Sequence, residues 1–222
     1  AYFYFDEHNH LSQTKPTGSN SFEEYVSDPK KPVPYTNGIY RGRNNEYMVE
    51  DQRFASIRPD VVYFETDTLP SDLTLAGGIT TDLFVSTTGT DADFIVKLID
   101  VLPSNAENSP GTPRGVNMSG FQRMVRAEVM RGKFRNNYVT PEAFEPGKVT
   151  EVSIKLNDVA HTFKKGHKLM IQIQSSWIPL ADRNPQKFVE IYKCDDSDFQ
   201  KATIKGYHDA RNGSKIMLPG LK

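Results

Sequence analysis

The segment that decides the fold runs from Lys148 to Pro185 and reads KVTEVSIKLNDVAHTFKKGHKLMIQIQSSWIPLADRNP. Apolar residues alternate with polar ones over residues 152–156 and again over residues 169–174. A period of two is typical of strands that bury one face. The polar link from His161 to His167 is too long for a tight hairpin turn. The segment therefore predicts two strands of an antiparallel β-sandwich, joined by a crossing link.

Working outward, the rest of the chain shows similar short apolar runs separated by turn residues. These runs lie at residues 2–5, 61–65, 73–76, 79–86, 94–101, 121–131, 188–192 and 215–218. Gly77-Gly78 and Thr88 to Asp91 supply turn residues between neighbouring runs. Regularly spaced short strands predict an all-β fold, a jelly-roll β-sandwich with few or no helices. No Gly/Ser-rich or Pro-rich linker divides the pattern, so we expect a single jelly-roll domain over residues 1–222.

Residues 22–35 contain three X-Pro steps, which force extended backbone without a full ladder of hydrogen bonds. We expect this segment to wrap a surface instead of joining a sheet. The polar residues before it, from Asp6 to Ser21, predict a turn.

Composition limits the classes of partner. The formal net charge is -1, which provides no field for nucleic acid or anionic lipid. No run approaches the roughly 18 apolar residues of a membrane-spanning helix. We therefore expect neither nucleic acid nor a membrane as partner. The single cysteine, Cys194, excludes an internal disulfide and leaves the compartment open, whether bacterial cytoplasmic or periplasmic and secreted.

The residues suggest little catalytic chemistry of their own. No Gly-x-Ser-x-Gly elbow occurs, and Cys194 is followed by two acidic residues that disfavour a thiolate. Acidic pairs at Asp91 and Asp93 and around Asp195 could bind calcium, but aspartate is common in turns simply because it stabilises them. The histidines have the character of loop or strand-end residues; they are His8, His10, His161, His167 and His208. We expect no catalytic residue, metal or cofactor.

The exit from the second strand carries a group of residues that could be a site or a structural lock. Asp182 and Asn184 can close turns on either side of Arg183, whose fork of donors binds carboxylates or backbone carbonyls. Directly after a strand and before a proline, the lock is the favoured interpretation. Trp177, the only tryptophan, is counted in this lock with Asp182, Arg183 and Asn184, and its ring is either a core residue or a platform for stacking a sugar or a partner domain.

Several strings in order along nearly the whole chain resemble the C-terminal domain of the CocE/NonD hydrolases, a family of esterases, acylases and X-prolyl dipeptidyl-peptidases. The strings are EYMVEDQRF (46–54), RPD (58–60), STTGTD (86–91), VKLIDV (96–101), MRGKFR (130–135), HTFKKGH (161–167) and SSWIPLADRNP (175–185). The resemblance implies a galactose-binding-domain-like jelly roll. It also implies that the Ser-Asp-His triad lies in an N-terminal α/β-hydrolase domain with a helical cap, outside this chain.

The resemblance further implies a role beside that triad. The domain would pack against the α/β-hydrolase and cap domains and form one wall of the substrate cleft, with Tyr47 and Met48 as candidate substrate contacts. Both could equally be ordinary core residues. Whether the protein forms a homo-oligomer stays open. Alternatives from other classes are a carbohydrate-binding jelly roll with Trp177 as its platform, and a purely structural or oligomerisation domain.

Overall fold

The computed structural model of the chain describes residues 1–42 and 44–221. The strands are β1 (Tyr2–Asp6), β2 (His10–Ser12), β3 (Phe22–Ser27), β4 (Val61–Glu65), β5 (Leu73–Thr87), β6 (Asp93–Val101), β7 (Gln122–Arg131), β8 (Thr150–Phe163), β9 (Lys168–Gln174), β10 (Ala202–Tyr207) and β11 (Lys215–Met217). The helix α1 (Arg53–Ser56) is a single turn, and 3₁₀ turns occupy Glu7–Asn9, Asn45–Met48, Gly132–Phe134, Ile191–Lys193 and Asp196–Asp198. Across the described ranges, every helix is too short or too polar to span a bilayer.

The strands pack as two layers, which confirms the predicted all-β sandwich. Antiparallel pairing joins β4, β9, β6 and β7 in that order into one layer. The other layer is built on β5, which pairs with β8 along one edge and with β10 and β11 along the other. β3 extends β10, and β1 with β2 extends β11. The parallel pair of His10 with Glu65 joins β2 to β4 and so connects the two layers.

The inner faces of the two layers bury a common apolar core. β5 and β8 contribute Leu83 and Ile154, while β6 and β9 contribute Phe94, Leu98 and Ile171, all fully buried. Each such side chain contributes about 1.5–3 kcal/mol relative to an exposed position. In β8 and β9, the alternation that predicted the strands also identified core-facing residues such as Ile154 and Ile171.

The predicted turn at Gly77-Gly78 is wrong, because β5 continues through it as one strand of 15 residues. The register with β8 shifts between Gly77 and Ile79, and Gly77 has a φ of +123°. Glycine adopts that conformation without steric cost, so the pair forms a β-bulge that bends the strand instead of ending it.

Other predicted boundaries also change in the structure. Residues 22–27 join the sheet as edge strand β3, because the X-Pro steps begin only at Asp28. The short strands β2 and β10 were not predicted. Residues 188–192 do not form the predicted strand; the Lys193 N–H donates to the Glu190 carbonyl at 2.9 Å and closes a turn there.

The outer face of β6 is buried as well, because two irregular segments cover it. Every residue of β6 from Asp93 to Asp100 is buried. We call residues 28–42 and 44–58 the covering segment, and residues 175–185 the exit segment. Two backbone hydrogen bonds clamp them together, from the Tyr35 N–H to the Ile178 carbonyl at 2.8 Å and from the Ile178 N–H to the Val33 carbonyl at 3.0 Å. The proline-rich stretch after β3 thus wraps a surface, as predicted.

Two histidines bind the buried carboxylate of Asp100 at the far end of β6. His161 Nε2 lies 3.0 Å from one carboxylate oxygen, and His167 Nδ1 lies 2.7 Å from the other. His161 belongs to β8, which is longer than predicted, and not to the link. Burial acts to raise the pKa of Asp100, but the hydrogen bonds from both histidines outweigh it and hold that pKa below its usual range. The carboxylate therefore ties β6 to β8 and to the link before β9.

We expect Asp100→Asn to destabilise the chain at neutral pH. Hydrogen bonds to a charged group contribute about 1.5–3 kcal/mol, so the free energy of unfolding should fall by about 2 kcal/mol. Because the folded pKa lies below the unfolded one, the carboxylate stabilises at neutral pH and this contribution is lost as the pH falls through the folded pKa. Urea unfolding at about pH 7 and about pH 3 measures both effects.

The matched control is Asp158→Asn, which changes an exposed aspartate of β8. We expect its effect to lie within about 0.5 kcal/mol of zero. If Asp100→Asn lowers the free energy of unfolding by the same amount at about pH 3 as at about pH 7, the loss does not come from the carboxylate that the histidines bind.

Candidate functional site

The candidate site is the layer of side chains between the outer face of β6 and the segments that cover it. Ile95 of β6, Tyr35 of the covering segment and Trp177 of the exit segment form one buried apolar cluster. Tyr47 packs against this cluster from outside. The face is therefore built from parts of the chain that are far apart in sequence.

Tyr47 is held on an aromatic support. Its ring centroid lies 5.4 Å from that of Tyr35 and 5.8 Å from that of Trp177, where it stands edge-on. Such aromatic pairs contribute about 0.5–1.5 kcal/mol beyond the area they bury. The 3₁₀ turn Asn45–Met48 that carries it begins at Asn44, whose side-chain oxygen accepts from the Glu46 N–H at 2.8 Å.

Met48, the second predicted contact residue, differs from Tyr47 in exposure. It lies one residue further along the same turn and is 48% exposed, whereas Tyr47 is half-buried. The structure thus brings the two predicted residues to one surface edge, with Tyr47 anchored and Met48 exposed. Their contact with a substrate stays a prediction.

A lysine that the sequence did not single out lies beneath this edge. Lys97 of β6 is fully buried, and its Nζ donates to Gln52 Oε1 at 2.9 Å. The Nζ also lies 5.3 Å from the centre of the Trp177 ring, within the range of a cation–π interaction. The one available signal was a lysine within the mostly apolar run VKLIDV.

The residues predicted as a structural lock make the contacts of one. Arg183 donates to the Pro29 carbonyl at 3.1 Å and lies over the Phe199 ring at 4.7 Å, so it fastens the exit segment to the start of the covering segment. The Asp182 carbonyl accepts from Arg131 at 3.0 Å. The lock itself stays a prediction until the residues are changed.

Asn184 of the lock contacts a buried acid. Its side-chain N–H donates to Asp93 Oδ1 at 2.8 Å. Burial raises the pKa of Asp93 to about 7, against the opposing effect of the Arg131 guanidinium 3.3 Å away. Burial also raises the pKa of the neighbouring Asp91. Both acids are packed into the sandwich, where a substrate has no access.

Trp177 is buried, at 6% exposure, with Lys97 against its face and Tyr47 against its edge. A sugar ring stacks on an aromatic face that is open to solvent, and this ring offers none. Trp177 is therefore a core residue, and its use as a carbohydrate platform is ruled out.

The hydrogen bonds among the described residues do not assemble a nucleophilic site. None of them joins a serine hydroxyl to a histidine ring: His161 and His167 bind Asp100, and the ring nitrogens of His208 are buried without a partner. The Cys194 thiol donates to the Ile191 carbonyl. Fold and site thus define a class of protein, a β-sandwich domain. One face of its sheet is covered by irregular segments, and these segments carry exposed apolar side chains.

Comparison with known proteins identifies the family. A family model described as the C-terminal non-catalytic domain of X-Pro dipeptidyl-peptidases matches residues 2–216. The chain therefore belongs to that family of domains, which confirms the resemblance to the C-terminal domain of CocE/NonD hydrolases.

Individual relatives support the same assignment. Cocaine esterase of a Rhodococcus species is 29% identical over 209 residues, which cover 94% of this chain and 34% of that protein. The structure of an aminopeptidase from a marine sediment archaeon of the Thaumarchaeota matches with a TM-score of 0.91 and 38% identity, covering 100% of this chain and 37% of its own. An α-amino acid ester hydrolase matches with a TM-score of 0.89 and 37% identity, covering 99% of this chain and 36% of its own.

The chain spans about a third of the length of the relatives that it matches.

We expect Arg183→Ala to lower the free energy of unfolding by about 1–2 kcal/mol, because it removes a hydrogen bond and a stacking contact between two segments. Arg183→Lys should restore only part of this loss, since lysine lacks the planar fork. Denaturant unfolding measures both variants against Arg211→Ala, a change at an exposed arginine. A result for Arg183→Ala equal to that control would contradict the lock.

Proposed function

We propose that this chain is the C-terminal β-sandwich domain of a serine hydrolase of the CocE/NonD type, which cleaves acyl esters or amides or X-Pro dipeptides. In that protein the domain packs against an α/β-hydrolase domain with its cap and forms one wall of the substrate cleft. The observation that carries the proposal is the match to a non-catalytic domain family by a chain that spans about a third of its relatives.

The surface supports a packing role. The covering segment carries several exposed apolar side chains; we call them the apolar edge, and they are Ile39, Tyr40, Met48, Val49 and Ile57. Ile57 is 82% exposed and Val49 is 69% exposed. Beside them lies an open depression of about 300 Å³ lined by Glu50, Phe54 and Ile57. Concentrated apolar exposure of this kind marks interaction surfaces, and an adjoining domain is the occupant that the family match suggests.

The same edge supports the cleft-wall role. We call Tyr47 and Met48 the candidate cleft wall. Met48 belongs to the apolar edge, and Tyr47, the residue before it, rests on the aromatic support of Tyr35 and Trp177. A side chain that lines a substrate pocket works best on a rigid base, since misplacement costs rate.

We infer that residues 1–222 form one domain, because residues near both ends belong to the same core. Phe3 and Leu218 lie in the apolar cluster that includes the strands between them. The Leu218 N–H also donates to the Ala1 carbonyl at 2.8 Å.

We expect the 222-residue chain alone to leave an activated acyl ester such as a p-nitrophenyl ester unhydrolysed. A protein that also contains the proposed α/β-hydrolase domain should hydrolyse the ester and lose this activity on treatment with a serine-directed phosphonate. Release of p-nitrophenol, followed by absorbance, measures both. Turnover by the 222-residue chain itself would overturn the proposal.

We expect Tyr47→Ala or Met48→Ala in the full-length hydrolase to raise KM about tenfold, since pocket contacts of this size discriminate by about 10–200-fold. Steady-state kinetics with an acyl ester provides the measurement. Val26→Ala, at a half-exposed position on edge strand β3, is the matched control and should leave KM unchanged. Equal KM values for all of these variants would argue against a cleft wall at this edge.

A further inference from the structure

Lys97 occupies a position where burying a lysine costs free energy. It is fully buried at the centre of β6, where a lysine must give up the hydration of its charge. Its Nζ makes one hydrogen bond, to Gln52 Oε1 at 2.9 Å, and contacts the Trp177 ring at 5.3 Å. An apolar residue in the middle of this strand would cost less free energy to bury. A contribution to folding stability therefore does not explain why a lysine stands there.

The groups around Lys97 leave its charge only weakly compensated. The strands that flank β6 place Gln172 of β9 and Ala127 of β7 opposite it, and both are neutral. On the covering segment, Glu50 is the acid that acts on it, and the nearby Asp51 is engaged with Arg53 at 2.6 Å. The exit segment contributes the neutral Trp177.

Burial therefore lowers the pKa of Lys97 to about 7, and the attraction of Glu50 opposes this shift. The ammonium form dominates below that pH and the neutral amine above it. Polar atoms beside it are also buried without a partner among the described residues, namely Trp177 Nε1, Gln172 Oε1 and Gln174 Oε1. A layer with this many uncompensated polar groups is typical of functional surfaces and unlike the apolar inner core.

The lysine contacts Trp177, one of the two aromatic rings that support Tyr47, and Gln52, which lies five residues after Tyr47 in the chain. Trp177, which touches Lys97 by its face, supports Tyr47 by its edge. Gln52, which accepts from Lys97, ends the stretch that begins at Tyr47, and its Nε2 donates back to the Glu50 carbonyl at 2.9 Å. A change at Nζ therefore reaches Tyr47 through the Trp177 ring that both side chains contact.

We propose that Lys97 is a positioning residue for the candidate cleft wall, which its ammonium form holds in place and its neutral amine form loosens. This inference rests on the cleft-wall function proposed above. The ammonium attracts the Trp177 ring and Glu50, and it donates to Gln52 as a charged group. Loss of the proton removes the first two attractions and weakens the third. The expected consequence is weaker substrate binding as the pH rises through the pKa of the lysine.

The sole tryptophan reports on this layer directly, because Trp177 lies against Lys97. We expect the fluorescence of the 222-residue chain to show a transition near pH 7 in a titration from about pH 5 to about pH 9. The transition should vanish in Lys97→Met and Lys97→Arg and persist in Lys155→Met, which changes an exposed lysine of β8. No transition in the unmodified chain, or one that persists in Lys97→Met, would overturn the inference.

A measurement on the unmodified chain covers the case in which the variants fail to fold. NMR titration of the lysine Cε signals should show one lysine that loses its proton near pH 7, far below the ordinary lysine pKa. If every lysine stays protonated to about pH 9, the inference is wrong whatever the variants do.

Kinetics of the full-length hydrolase separates the inference from the function on which it rests. KM should rise about fivefold between about pH 6 and about pH 8.5, which corresponds to one cation–π contact, with the rise absent in Lys97→Arg. If Lys97 titrates as expected and the pH dependence of KM is the same in Lys97→Arg, the positioning role is overturned. If Tyr47→Ala leaves KM unchanged at every pH, the cleft-wall function fails instead.

Discussion

The structure depends on the burial of β6 on both of its faces. One face fits into the sandwich core, as in any two-layered β fold, but the other would be exposed apolar surface unless something covered it. The covering and exit segments do so, and their mutual backbone bonds at Ile178 close the cover. This requirement explains why a proline-rich stretch and an irregular strand exit lie together although they are far apart in the chain.

The two faces of β6 also differ in chemistry. The inner face packs Phe94 and Leu98 among apolar neighbours, whereas the outer face holds Lys97, which donates to Gln52. Polar groups in a dry layer cost free energy unless they are fully paired, and here several are not. The cost falls on the side of the sheet that the covering segment and its apolar edge cover. Such an incompletely paired polar layer fits the positioning role proposed for Lys97.

Much of the fold followed from local pattern, and the errors have physical causes. Alternation located β8 and β9, and short apolar runs located β4 and β6, because one or both faces of each strand are buried. Turn residues misplaced Gly77-Gly78, since glycine serves a bulge as readily as a turn, and β10 was missed because its lysine and glycine interrupt the apolar pattern. Of the candidate site, Tyr47 and Met48 came from the motif strings, and the lock residues came from the turn and donor chemistry of Asp182, Arg183 and Asn184. Lys97 was passed over although it lies within one of those strings.

The sequence by itself determined the fold class and the family, because strand periodicity is local and the motif strings are contiguous. It also placed the proline-rich wrap, since X-Pro geometry restricts the backbone residue by residue. Only the tertiary structure decided what that wrap covers and which groups meet beneath it. Gln52, Lys97 and Trp177 are separated by dozens of residues and meet only because the sheet brings their segments together. The burial of Trp177 could not be predicted either, because it depends on segments far apart in the sequence; that burial excludes its use as a sugar platform. For the same reason, the sequence did not predict the pairing of His161 and His167 with Asp100.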